Sequence, residues 1–209
     1  MGSFDGFDKK DFEVFHIEGL EERMEALRSR LSPKLEDIAQ TLAPDLAAQT
    51  GEEMFVHVAK HARRSKNPPN DTWAAIANNK RGYKKLPHFQ IGLWEDKVFL
   101  WLAFIYEAPN KSDIASTFLD DFAEVHQSIP SNYVLSKDHT KNEDLPHNEQ
   151  NLERVLTRFH DVKKGEFLVG QRFEADERFL KDEQAFIRAA KQTFETLLPI
   201  YRKAMAAGS

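Results

Sequence analysis

Two apolar runs flanking a charged pair constrain this chain more than any other feature: residues 88–94, then Glu95-Asp96, then residues 97–106. Runs rich in Phe, Ile, Leu, Val and Trp on either side of a short polar break read as a β-hairpin. With Glu95 and Asp96 as a two-residue turn, Leu93 faces Val98, Ile91 faces Leu100 and Phe89 faces Leu102. That face is wholly apolar and belongs in a core. The opposite face carries His88, Gln90, Gly92 and Trp94 beside Phe99 and Trp101, with Gly92 across from Phe99 leaving a shallow space beside a ring. Polar groups, a gap and two indoles suit a binding platform. The alternative is that helices cover this face too and its rings are plain core. Glu-Asp is not the favoured Asn-Gly turn, and a three-residue turn would redistribute the residues between the faces.

Around the hairpin the apolar spacing turns helical. Leu20, Met24, Leu27 and Leu31 form one stripe, and Leu35, Ile38 and Leu42 continue it. Ser32-Pro33 is expected to break the first helix and start the next, with Ser as N-cap and Pro in the first turn. Further stripes are Ile114, Phe118, Phe122 and Val125, then Leu152, Val155, Leu156 and Phe159, then Phe186, Ala190, Phe194, Leu197 and Tyr201. Residues 54–64 lean towards strand, because Phe55, Val56 and Val58 are strand formers. Residues 72–77, 132–136 and 166–174 also read as strands, and 137–147 as a polar loop. Helices flanking a run of strands give the α+β class, with a central, mostly antiparallel sheet packed by helices in a single two-layer domain. The domain is expected to span 1–209, with tag-like or disordered ends at 1–7 and 206–209.

The charges are segregated. Between positions 60 and 85 stand Lys60, Arg63, Arg64, Lys66, Lys80, Arg81, Lys84 and Lys85, opposed only by Asp71. Eight cations against one carboxylate give +7, so the remainder of a chain of net −5 carries −12. Such a block favours an anionic partner. A basic loop holding Gly82 and Tyr83 suits a phosphate, held by an Arg fork and backbone amides. It also suits a nucleic acid with Tyr83 stacked on a base. Nucleic acid is the less favoured of the two, since the sequence pI is about 5.9. The third option is a solvated basic loop paired with the acidic remainder of the chain.

Other chemistry is bounded by what the chain lacks. It has no Cys, which excludes disulfides, thiolate metal sites and cysteine nucleophiles and is compatible with the cytoplasm, the expected location. No apolar run reaches membrane-spanning length. There is no Gly-x-Ser-x-Gly and no Gly-rich phosphate loop. His57 and His61 are four apart and are weak candidates for a metal pair. They lack the intervening Glu of His-Glu-x-x-His, and Lys60 and Arg63 would repel a cation. Asp138-His139 is a candidate acid/base pair in a polar loop, against the plainer reading of a solvated loop pair.

Several stretches resemble a known family. They are His57-Val-Ala-Lys-His-Ala-Arg-Arg-Ser65, Asn67-Pro-Pro69, Lys80-Arg-Gly-Tyr-Lys-Lys-Leu-Pro-His-Phe-Gln-Ile-Gly-Leu-Trp94, Glu18-Gly-Leu-Glu-Glu-Arg-Met-Glu-Ala-Leu27 and Asp138-His-Thr-Lys141. They are similar to the YktB-like family of uncharacterised Bacillus-type bacterial proteins, over about residues 12–201. The resemblance implies a single α+β domain whose topology is grouped with the catalytic core of biotin and lipoate protein ligases. The Gly-Arg-Gly type loop of those ligases is absent here, so no reaction type or cofactor carries over.

Three functional readings follow. The first is a binding protein for an anionic small molecule or, less favoured, RNA. Charge comes from Arg63, Arg64, Lys80, Arg81, Lys84 and Lys85, stacking from Tyr83, Trp94 and Trp101, and polar selectivity from His88 and Gln90. The second is an enzyme using His57, His61, His88 or His139 as general acid or base. The third is a protein-interaction module, with Trp94 or Trp101 buried in a dimer.

Overall fold

The computed structural model describes residues 4–208. Its centre is an antiparallel sheet. The strands are β1 (Phe55–Val58), β2 (Asp71–Ala77), β3 (His88–Trp94), β4 (Lys97–Phe104), β5 (Val134–Ser136), β6 (Leu145–Pro146) and β7 (Phe167–Glu174), ordered β1-β2-β3-β4-β7-β5-β6. The β3–β4 hairpin turns at Glu95-Asp96 in the two-residue register, with Leu93 opposite Val98, Ile91 opposite Leu100 and Phe89 opposite Leu102. Alternation then places Ala74 and Ile76 of β2 and Phe167 and Val169 of β7 on that same apolar face.

Helices cover this face. They are α1 (Lys9–Glu13), α2 (Leu20–Ala26), α3 (Ser32–Thr50), α4 (Lys111–Asp120), α5 (Phe122–Ser128), α6 (Glu149–Asp161) and α7 (Glu183–Ala206). The stripes Leu35, Ile38 and Leu42 of α3 and Phe186, Phe194 and Leu197 of α7 are buried in one core with the sheet. Ser32-Pro33 does not break the chain. A π-helical turn, Leu27–Leu31, carries α2 into α3, and the helical Ser32 makes no side-chain cap. The wider turn lets Pro33 follow without its ring meeting the carbonyl four residues earlier. The chain ends are also part of the fold where they are described. Phe4 and Phe7 are buried and meet Phe186 edge-on, and Ala207 is buried at the end of α7, whereas residues 1–3 and 209 lie outside the described residues. No described helix is long and apolar enough to cross a membrane.

No helix takes part in the second apolar cluster, on the opposite sheet face. Phe99, Trp101, Ala103, Ile105 and Leu168 form it, with Trp73, Trp94 and Val134 packed against its edge. Irregular segments cover it. The loop 137–144 is pinned across the face by Asp144, which pairs with Arg172 at 2.6 Å and Lys97 at 3.5 Å, and by Asn142, which donates to Asp96 at 2.9 Å. The segments 59–70 and 78–87 flank β2. The face is therefore neither open platform nor helix-covered core: loops roof it.

Candidate functional site

The strand β2 ends the basic block's first half and begins its second, so the site grows from β2. Its alternation puts Asp71 and Trp73 on the loop-roofed face. The Trp73 indole N–H donates to the Tyr83 hydroxyl at 2.9 Å. Gly82, with φ 68°, supplies the left-handed corner that starts the short 3₁₀ turn Tyr83–Lys85 and aims that hydroxyl back at β2. The Tyr83 ring sits between His57, with centroids 5.1 Å apart, and His88, at 5.0 Å.

Each histidine here is in a defined state. His88 is fully buried. Its Nδ1 donates to the Leu86 carbonyl at 2.8 Å, leaving Nε2 to accept from Gln90 at 2.9 Å. Burial brings its pKa down to about 4. His57 donates from Nε2 to the Asn79 carbonyl at 2.8 Å. His61 lies beyond the end of β1 with φ 50°. It is hydrogen-bonded to Thr72 at 3.1 Å and stands edge-on to Trp73. Burial first, then the positive charges of Arg64 and Lys84, bring its pKa to about 4. His57 and His61 therefore use their Nε2 atoms on different partners, and no described residue supplies them with a third ligand.

His139 has a carboxylate partner, but not Asp138. Its Nδ1 meets both oxygens of Glu166 at 2.9 and 2.8 Å, and its backbone N–H donates to Glu166 Oε2 at 2.8 Å. Glu166 is 2% exposed. Asp138 instead folds onto its own loop, accepting from the Thr140 amide and hydroxyl. One ligand atom each from Asp138, His139 and Glu166 lies within 4.8 Å of the others, the spacing of a metal site. The Glu166 oxygens and the Nδ1 proton are already spent on each other, so the trio is organised as a hydrogen-bonded pair beside a loop turn.

From the second half of the block Lys84 reaches Trp73, while Arg64 of the first half is exposed. Lys84 lies 5.8 Å from the indole centroid, and both Arg64 and Lys84 act electrostatically on His61 and on Asp71. Asp71 is buried. Desolvation raises its pKa to about 6, against the pull of His139, Arg64 and Lys84. Lys80 reaches over Phe55, and Arg63, Lys66, Arg81 and Lys85 project into solvent. None of the eight block cations takes part in an ion pair among the described residues.

Two recesses flank this centre. On the β1 side a groove of about 830 Å³ runs between the α2–α3 junction and residues 56–62, with Arg28, Lys60, His57, His61 and Tyr83 on its walls. On the other side, beneath loop 137–144, a chamber of about 10 Å³ is lined by Gln90, Trp94, Trp101 and His139, with room for a single water. Gln90 and Trp101 are 4% and 7% exposed, so with His88 they build the wall behind the site, and Trp94 is half-buried. Gly92 leaves no shallow space either: the Phe99 ring lies 2.2 Å from where a Cβ would stand. Sequence reasoning passed over Glu166, Trp73 and Asp71 as site residues. The one available signal was Asp71 itself, the single carboxylate inside a run of cations.

Residues 7–201 match DUF1054, described as a domain of unknown function. The chain is similar to a UPF0637 protein of Shouchella clausii, 52% identical over 204 residues, covering 98% of this chain and 97% of that protein. A UPF0637 protein of Oceanobacillus iheyensis is 51% identical over 200 residues, covering 96% and 97% respectively. One from Listeria monocytogenes is 44% identical over 203 residues, covering 97% and 99%.

Proposed function

The chain belongs to the DUF1054 family, and from its own residues we propose that it binds an anionic small molecule, a nucleotide or another phosphorylated metabolite, beside Trp73. The carrying observation is that Arg64 and Lys84, from opposite halves of the basic block, bear on the same two side chains while neither is paired with a carboxylate. Two unpaired cations at the partly buried His61 and the buried Asp71 raise the local potential, which a phosphate would neutralise with charge-assisted hydrogen bonds. The groove that His61 lines has the volume of a small-molecule site, with His57 and Tyr83 as ring surfaces for the body of the ligand and Arg28 and Lys60 as further cations on its walls. A protein-interaction face built on Trp101 is the weaker reading, because that side chain is already covered.

The test is thermal shift with inorganic phosphate, nucleoside mono- and triphosphates and sugar phosphates. Binding raises the melting temperature in step with ligand concentration, as mass action requires. Arg64→Ala combined with Lys84→Ala removes that rise without lowering the melting temperature of the free protein. No rise with any of these compounds contradicts the proposal. Tight binding of RNA alone, weakening steeply with salt, contradicts the small-molecule form of it.

A further inference from the structure

We infer that the ligand of the β1-side groove is a nucleotide whose base pairs edge-on with the free backbone edge of β1; this rests on the anion-binding reading above. The strand order ends at β1, so one side of that strand faces no other strand. The pairing with β2 leaves two residues over. The Ala59 amide donates to the Trp73 carbonyl at 2.9 Å, and His57 and Phe55 stand opposite Ala75 and Ala77 in the same register. In an antiparallel pair, residues two apart turn their backbone groups to the same side. Phe55, His57 and Ala59 therefore spend their N–H and C=O groups on β2, and those of Val56 and Val58 point outward. No described residue bonds to these outward groups.

The groove lies along that edge, and Val56 and Val58 both line it. Their side chains pack against the main core, while their outward N–H and C=O groups border the groove. The Val56 carbonyl and the Val58 amide are neighbours on one side of the strand, an acceptor beside a donor. Every nucleobase carries the complementary set, a donor beside an acceptor on one planar edge. A sugar phosphate carries no such rigid edge. The walls suit a flat ring as well. Met24 and Leu27 on the helix side are apolar, and on the sheet side the His57 and Tyr83 rings stand with centroids 5.1 Å apart.

Charge sets the orientation of the ligand. Lys60 and His61 line the groove just beyond the end of β1. The His61 and Trp73 ring centroids are 5.5 Å apart, and Lys84 lies 5.8 Å from that indole. The phosphate therefore lies toward Lys60 and His61, and the base lies back along β1. Glu36, on the helix wall, turns a phosphate away from that side and accepts from the ribose hydroxyls. A second copy of the chain is a poor occupant of the same edge, because strand addition at β1 would bring two basic blocks together. An extended acidic peptide is the occupant that competes with a nucleotide.

The test is calorimetric binding of adenosine, guanosine, cytidine and uridine monophosphates and of ribose 5-phosphate, with amide hydrogen exchange of β1 followed by NMR. In the free protein the His57 amide is protected and the Val56 and Val58 amides exchange freely. One or more of the nucleotides binds about 10-fold or more tighter than ribose 5-phosphate, through two added hydrogen bonds, and slows exchange at Val58. Val58→Pro removes the outward amide but no β1–β2 bond, at an edge position that tolerates Pro. It brings that nucleotide down to the affinity of ribose 5-phosphate and leaves the affinity of the sugar phosphate unchanged. If the variant does not fold, exchange at Val58 in wild type decides alone. Nucleotides no tighter than ribose 5-phosphate, or a tighter nucleotide that leaves Val58 exchange unchanged, overturn the base assignment and leave the anion site standing. An acetylated Glu-Val-Glu-Val-Glu peptide that slows both Val56 and Val58 while no nucleotide binds assigns the edge to strand addition and overturns it too. Absence of binding by all of these phosphates removes both proposals.

Discussion

At the scale of the residue, two buried ionisable side chains, Asp71 and His88, and the half-buried His61 make stability depend on pH, and their signs differ. Asp71 releases its proton near 3.8 in an unfolded chain and holds it to about 6 in the folded one. Its contribution is therefore fully present below about pH 3.8 and lost as pH rises to about 6. Asp71→Asn, which cannot ionise, is expected to be more stable than wild type at pH 7 by on the order of 2 kcal/mol and to converge with it near pH 4. Urea denaturation at both pH values measures this. His88 and His61 run the other way. Each titrates near 6.5 when unfolded and near about 4 when folded, so their contribution is present above pH 6.5 and lost as pH falls through about 4. His88→Gln keeps a donor for the Leu86 carbonyl and an acceptor for Gln90 but does not titrate. Its melting temperature relative to wild type is expected to climb between pH 6.5 and 4, and a parallel pH dependence would contradict the buried neutral state. At this scale the sequence was readable only in part. Asp138-His139 stood out as neighbours, yet the carboxylate hydrogen-bonded to His139 is Glu166, 27 positions away, brought there by the start of β7. Adjacency in sequence suggested Asp138 as the partner, but Asp138 bonds Thr140 within its own loop.

Among elements, legibility followed the range of the forces involved. The β3–β4 register was left open between a two- and a three-residue turn, and the apolar set decides it: a shift of one residue would have turned Leu93, Ile91 and Phe89 out of the core. The bend at Ser32-Pro33 was read as a break because Pro lacks an N–H, but the core stripe Leu27, Leu31 and Leu35 is buried on both sides of it. A π-turn that keeps the stripe continuous wins over a helix end. The roofing of the second sheet face by loop 137–144 depends on Asp144, Arg172, Lys97 and Asn142 meeting across long separations, which no local pattern announces. One glycine tests the sheet directly. A Cβ on Gly170 of β7 would run into the backbone of β4 at Leu100 and Trp101, the Leu100 carbonyl oxygen nearest. Gly170→Ala is expected to push the two strands apart and cost on the order of 3 kcal/mol. A denaturation midpoint equal to wild type would show that β4 and β7 are not this closely apposed.

For the molecule as a whole, the charge ledger of the sequence finds its place in space. In a chain of net −5, one cation from each side of β2, Arg64 and Lys84, acts on the same two side chains, His61 and Asp71. Binding at such a centre is partly electrostatic, so phosphate affinity is expected to weaken as ionic strength rises, and less steeply for Lys84→Ala, which has lost one of the charges being screened. The chain also carries its own reporters, because it has three Trp. The Trp73 indole N–H lies against Tyr83 beneath Lys84, while Trp94 and Trp101 line the closed chamber. The most direct measurement is an NMR titration of these three indole N–H resonances with a nucleoside monophosphate, in wild type and in the Arg64→Ala, Lys84→Ala double variant. Saturable movement of the Trp73 resonance, with Trp101 unmoved and the response lost in the double variant, is the predicted result. Three indole resonances that stay in place at millimolar ligand, or movement that survives removal of both cations, would contradict an anion site beside Trp73.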